Sequence, residues 1–144
     1  MNIQLKTTVT GNYKTIMSRF DRDLFEALAP PFPPMEVVAF TGSREGDRVH
    51  IRFLDRINWI SRITEDGAND TEAWFVDEGV QLPFPLTYWR HRHVVRKISE
   101  DTSCIIDDIT YRAGNGLFTL LMYPALYLGF YPRKRLYRAY FGRP

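Results

Sequence analysis

Two histidines one residue apart, His91 and His93, and two aspartates, Asp77 and Asp107, occupy strand-like runs that can bring them together. A carboxylate beside an imidazole favours the charged ring and fixes its tautomer, which suits general acid–base chemistry or orientation of a polar ligand group. For catalysis the candidates are His91, His93 and Asp107. Ionisable groups in an apolar enclosure are costly unless partnered, so the same residues would equally serve as a closed hydrogen-bond network tying three strands together. His-x-His on a strand also sets both imidazoles on one face, and an Asp would make a third metal ligand. No further His or Cys lies nearby except Cys104, expected on the other face, so neither a metal nor a cofactor is assigned.

Three runs must position these groups: TEAWFVDEGV from residue 71, QLPFPLTYWRHRHVV from 81 and RKISEDTSCIIDDITY from 96. Pro83-Phe84-Pro85 and Glu100-Asp101 are the turn signals between them. Folding back at the first turn sets Phe75 opposite His93, Asp77 opposite His91 and Gly79 opposite Trp89. Folding back at the second sets His93 opposite Asp107, His91 opposite Ile109 and Trp89 opposite Tyr111. Side chains alternate with a period of two. One face therefore carries Phe75, Asp77, Trp89, His91, His93, Val95, Ile105, Asp107, Ile109 and Tyr111. The other carries Glu78, Arg90, Arg92, Arg96, Ser103 or its neighbours, and Asp108. A one-residue slip would turn that charged set inward, so the pattern resists slippage.

Upstream, Ile3 to Val9 alternates as a first strand. Asn12 caps a helical segment with Tyr13, Ile16, Met17 and Phe20 on one side, and Asp21 caps another with Leu24, Phe25 and Leu28. Pro30-Pro31-Phe32-Pro33-Pro34 forbids helix and forms a stiff connector. Met35 to Thr41 and Val49 to Leu54 flank the hairpin signal Glu45-Gly46-Asp47, and Ile57 to Thr64 is a further strand. The count is about seven strands, joined by short turns and hence antiparallel.

Residues 116 to 131, GLFTLLMYPALYLGFY, carry no charge and are apolar nearly all round. Such a helix is normally buried, and 16 residues fall short of the roughly 20 that span a bilayer. Pro124 is expected to kink or break it, and Pro132 to open a renewed helix. There Leu136, Tyr137, Tyr140 and Phe141 would face the core, and Arg133, Lys134, Arg135 and Arg138 water.

The chain has 144 residues, 44% hydrophobic and 25% charged, which fits one domain spanning 1–144. Aromatics reach 15%, in keeping with a roomy interior. Trp59, Trp74 and Trp89, with Phe84, Tyr88 and Tyr111, offer stacking surfaces, of which Trp89 and Tyr111 share the polar face. Cys104 is the only cysteine, so no intrachain disulfide forms. The first residues show no apolar leader, and cytoplasmic residence is the expectation. Of 19 basic residues six follow Asp108 and no acidic residue does, leaving 13 basic against 17 acidic before that point. The basic end is a solvated helix face or a peripheral contact for an anionic membrane surface. Nucleic acid is not expected, because the aromatics near these cations look buried.

The order strand, two short helices, six strands and a long apolar C-terminal helix resembles the helix-grip fold of the START-like, or SRPBCC, superfamily. Phe75-Val76-Asp77-Glu78, Pro83-Phe84, Trp89-Arg90-His91-Arg92-His93 and Asp107-Asp108-Ile109-Thr110-Tyr111 resemble a bacterial branch of it whose members are uncharacterised. The resemblance implies an α+β fold in which a curved antiparallel sheet wraps a long, proline-interrupted C-terminal helix around an internal cavity. It implies ligand contacts from Phe75, Asp77, Trp89, His91, His93, Asp107 and Tyr111, opposed by Leu117, Leu120 and Leu121. The function expected is binding of a small hydrophobic or amphipathic molecule of lipid, polyketide or aromatic type. The alternatives are a cyclase or dehydratase using His/Asp chemistry, and an interaction module with a filled interior.

Overall fold

The alternating runs form one antiparallel sheet in the computed structural model, which describes residues 1–30 and 33–144. Its strands are β1 (Asn2–Thr10), β2 (Met35–Phe40), β3 (Arg48–Phe53), β4 (Ile57–Ala68), β5 (Glu72–Gln81), β6 (Leu86–Lys97) and β7 (Thr102–Ala113). Strands β2 to β7 are each hydrogen-bonded to their sequence neighbours, and β1 joins the far edge beside β7. Helices α1 (Tyr13–Ser18) and α2 (Arg22–Ala27) link β1 to β2, while α3 (Gly116–Phe130) and α4 (Arg133–Phe141) follow β7. This is the helix-grip α+β arrangement. The proline connector lies partly outside the described residues, which omit Pro31 and Phe32.

Local chemistry explains the element starts. Asn12 accepts from the Lys14 amide and Asp21 from the Leu24 amide, each satisfying a first-turn donor that has no helical partner. Asn115 does the same for Phe118 at the start of α3. Register shifts leave Val80 of β5 and Thr64 of β4 without a paired residue, bulges that bend the sheet and raise its twist. The β3–β4 turn runs through Leu54 and Asp55 at φ of 53° and 58°, a region unfavourable for a branched side chain such as Leu54.

The central register matches the alternation. Phe75 pairs with His93, Asp77 with His91, His93 with Asp107, His91 with Ile109 and Trp89 with Tyr111. The β5–β6 ladder ends at Glu78–Arg90, one pair short of Gly79–Trp89; Gly79 pairs with Ser61 of β4 instead. Ser103 departs from the expected charged face. It is buried with the odd-numbered β7 residues and donates to the Gly11 carbonyl, and its neighbour Cys104 takes the outer side.

Two clusters fill the concave side. Val9, Tyr13, Phe20, Leu24, Phe75 and Tyr137 belong to one, formed under α1, α2 and α4. Ile3, Leu5, Trp89, Ile109 and Tyr111 belong to the other, against which Met122, Tyr123, Leu126, Tyr127 and Phe130 of α3 pack. Tyr111 is sealed by donating its hydroxyl to the Thr119 carbonyl.

Helix α3 overturns one expectation and narrows another, the kink or break at Pro124, by excluding the break. It continues through Pro124, and the interruption falls at Tyr131–Pro132. Pro124 lies on the exposed side, so the Leu120 carbonyl it deprives of a donor is open to water. Although uncharged, α3 has no fully buried residue. Leu117, Leu120 and Leu121 face outward at 64%, 58% and 60% exposure and do not oppose the sheet. A helix apolar on every side has no polar face to turn toward water, so only packing against β7 selects its inner stripe.

Candidate functional site

Residues 77, 91, 93 and 107 converge because β5, β6 and β7 are adjacent and all four point to the concave face. The two imidazoles stack, with ring centroids 3.6 Å apart and planes 28° apart. Phe75 covers the other side of His93 at 4.2 Å, making a three-ring sandwich. The carboxylates flank the pair. His93 Nε2 lies 2.7 Å from Asp77 Oδ2, and His91 Nε2 lies 2.9 Å from Asp107 Oδ1. Trp89 donates its indole N–H to Asp77 Oδ1 at 3.2 Å.

Helix α4 completes the group. Tyr137 donates its hydroxyl to Asp107 Oδ1 at 3.3 Å, and Arg133 Nη1 stands 3.6 Å from the same oxygen. The Arg133 guanidinium also lies 4.5 Å from the centre of the Phe130 ring. The sequence pattern puts Arg133 in water, yet only 18% of its side chain is exposed. The correction has a simple cause: Arg133 and Tyr137 are four residues apart and share one helical face, and a buried carboxylate attracts the cation. Lys134 is also engaged, donating to the Lys6 carbonyl.

The electrostatics follow from burial and pairing. Burial alone would raise both aspartates. At Asp107 it is outweighed by the His91 hydrogen bond and charge and by Arg133, so the group falls to about 2. At Asp77 the same penalty is outweighed by His93, His91 and the Trp89 hydrogen bond, and the group is lowered. His93 is pushed down to about 4, first by burial and then by the facing His91 ring, against the opposing pull of Asp77. Burial raises the Tyr137 phenol, and Asp107 adds to the rise. At neutral pH His93 is therefore a neutral ring. Asp77 is an acceptor, so the proton of His93 resides on Nε2. Its Nδ1 is then a buried lone pair without a hydrogen-bond partner among the described residues.

Asp77, His91 and His93 hold ligand-type atoms within 4.8 Å of one another. His93 Nε2 already faces Asp77 Oδ2 at 2.7 Å, and that hydrogen bond fits the ring stack as it stands.

Beside the polar group lies a cavity of about 390 Å³ between the sheet and α3. Phe75, Asp77, Trp89, His91 and His93 line it. Asp107 and Tyr111 stand behind that wall, and the three leucines of α3 are outside. The α3 contribution comes from Ala125, Leu126, Gly129 and Phe130, joined by Arg133. Phe25, Met35, Ile51, Trp59 and Ser61 complete much of the remaining wall. Trp59 meets Trp89 edge-to-face at 4.7 Å. Sequence reasoning missed Arg133 and Tyr137 as partners of Asp107. Their spacing of four was the available signal, but it was obscured by the run of cations around Arg133.

No family model and no curated protein matches the sequence. Solved structures do. Truncated norcoclaurine synthase from Thalictrum flavum superposes with a TM-score of 0.68 at 12% identity, covering 100% of this chain and 95% of that one. The same enzyme in complex with dopamine and hydroxybenzaldehyde gives 0.67 at 12% identity, covering 100% and 88%. The di-domain aromatase/cyclase BexL of the BE-7585A biosynthetic pathway gives 0.71 at 14% identity, covering 96% of this chain and 45% of that one. These likenesses show that the chain has the helix-grip fold.

Proposed function

We propose that the protein binds a small apolar or amphipathic molecule in the cavity between the sheet and α3, with the ligand's polar end against Asp77, His91 and His93. One observation carries this reading: a cavity of about 390 Å³, within the range of small-molecule sites, has a mostly apolar wall with its ionisable groups gathered at one place. Apolar contact supplies affinity, and the hydrogen-bonding groups supply orientation. Phe75, Trp59 and Trp89 suit a flat or aromatic ligand through stacking and edge contacts. The fold neighbours support the reading by analogy, since norcoclaurine synthase has been captured with two aromatic small molecules.

The test is native mass spectrometry of freshly purified protein, followed by thermal unfolding against a panel of lipids, polyketides and aromatic compounds. A co-purified mass or a rise in melting temperature is expected, because any ligand that prefers the folded state stabilises it. If no compound in a broad panel binds, the carrier reading fails.

A second reading, acid–base catalysis of the cyclase or dehydratase type, is favoured by the unpartnered Nδ1 of His93. A neutral imidazole held by a carboxylate at its other nitrogen is the arrangement of a general base. BexL, a cyclase by name, shares the fold. Conversion of a bound polyketide that is abolished in His93→Gln but not in a cavity-wall variant would favour this reading over simple carriage.

A further inference from the structure

Helix α3 presents two apolar faces, only one of which has a partner among the described residues. The inner stripe, Thr119, Met122, Tyr123, Leu126, Tyr127 and Phe130, follows the spacing of one helix face and is half-buried. Leu117, Leu120, Leu121, Pro124 and Leu128 follow the same spacing on the opposite side and are exposed, Leu128 at 68%. Phe84, 89% exposed in the β5–β6 turn, lies edge-on to Phe118 at 6.3 Å and extends the strip beyond the helix. A contiguous apolar patch of this kind marks an interaction surface more often than an ordinary solvated one.

Charge decides what covers it. No acidic residue occurs after Asp108, so the charges flanking α3 along the chain are all basic: Arg112 before it, and exposed Arg135 and Arg143 with half-buried Arg138 after it. A second copy docked on the same face would bring two such basic sets together, which costs Coulomb energy. An anionic bilayer surface instead neutralises them while accepting the leucines. Tyr131, half exposed at the end of the stacked Tyr123–Tyr127–Tyr131 ladder, has the amphipathic character of a side chain at a lipid–water boundary. No helix among the described residues is long and apolar enough to cross a membrane. A 15-residue helix with a lipid-seeking side and flanking cations can, however, lie in the interface plane. We propose that the outer face of α3, with Phe84, docks on the surface of an anionic lipid bilayer. This docking stands independently of what the cavity binds.

Co-sedimentation with phosphatidylcholine vesicles, with and without phosphatidylserine, tests it. The full chain is expected to pellet with the phosphatidylserine vesicles and to be released progressively as salt is raised. The triple variant Leu117→Glu, Leu121→Glu, Leu128→Glu is expected to lose at least about ten-fold in partition coefficient while keeping its melting temperature, because the replaced side chains are exposed. Leu128→Ser alone gives a graded loss and serves if the triple variant does not fold. Arg135→Glu with Arg143→Glu is expected to remove the preference for phosphatidylserine. Failure of the wild-type chain to bind either vesicle overturns the proposal, as does undiminished binding by the leucine variants or equal binding to uncharged lipid. A lipid-free dimer in sedimentation velocity that Leu128→Ser abolishes also overturns it, by showing that a second copy covers the face.

Discussion

Asp107 is the point at which sheet and terminal helix are tied, and its replacement by Ala tests the site most directly. The carboxylate accepts from His91 at 2.9 Å and from Tyr137 at 3.3 Å, and stands 3.6 Å from Arg133. Truncation leaves two buried donors without an acceptor and a largely buried guanidinium without its counter-charge. Orphaned donors cost about 1–3 kcal/mol each, and breaking a buried ion pair costs about 3–5 kcal/mol, with overlap between these figures. The expected loss in urea unfolding at neutral pH is about 3–5 kcal/mol. Part of it is linked to protons. The folded-state value of about 2 lies below the ordinary 3.8, so the ionised group contributes about 2 kcal/mol above about pH 5. That contribution fades as pH falls through about 4 and is gone below about 2, so the gap between wild type and variant should narrow over this interval. Adding Arg133→Met should cost less than the sum of the single changes by at least about 1 kcal/mol, because each removes the other's partner. A loss under about 0.5 kcal/mol at neutral pH, or a gap independent of acidity, would refute the buried network.

Three further outcomes are expected. His93 binds its proton only near pH 4 in the folded protein but near 6.5 when unfolded, so acidification through that window should remove about 3 kcal/mol of stability. His93→Gln should flatten this part of the stability–pH curve, and an unchanged slope by chemical denaturation would refute the assignment. Gly129 lines the cavity from within α3 with open space around the position of an added Cβ, so Gly129→Leu should raise helix stability by about 0.5–1 kcal/mol while obstructing ligand uptake. Thermal unfolding with and without an environment-sensitive hydrophobic dye separates the two effects. At the β3–β4 turn, Leu54→Asn should relieve the left-handed backbone and stabilise by about 0.5–1 kcal/mol, read as a higher urea midpoint.

The central sheet and the inward placement of His91, His93, Asp77 and Asp107 were legible from the amino-acid order. Alternation has a period of two, so once the turns at 83–85 and 100–101 are recognised, the pairings from Phe75–His93 to Trp89–Tyr111 follow, Gly79–Trp89 excepted, and the charged residues exclude the slipped register. Position in the tertiary structure decided the rest. Residues 116 to 131 are apolar on all sides, so their composition carries no information about which side meets the sheet; contact with β7 sends Leu126 and Phe130 inward and Leu117, Leu120 and Leu121 outward. Arg133 reads as one more surface cation in a basic run. Only the approach of α4 to β7 gives it a buried carboxylate to face, because an ion pair depends on distance in space and not on the spacing of residues along the chain.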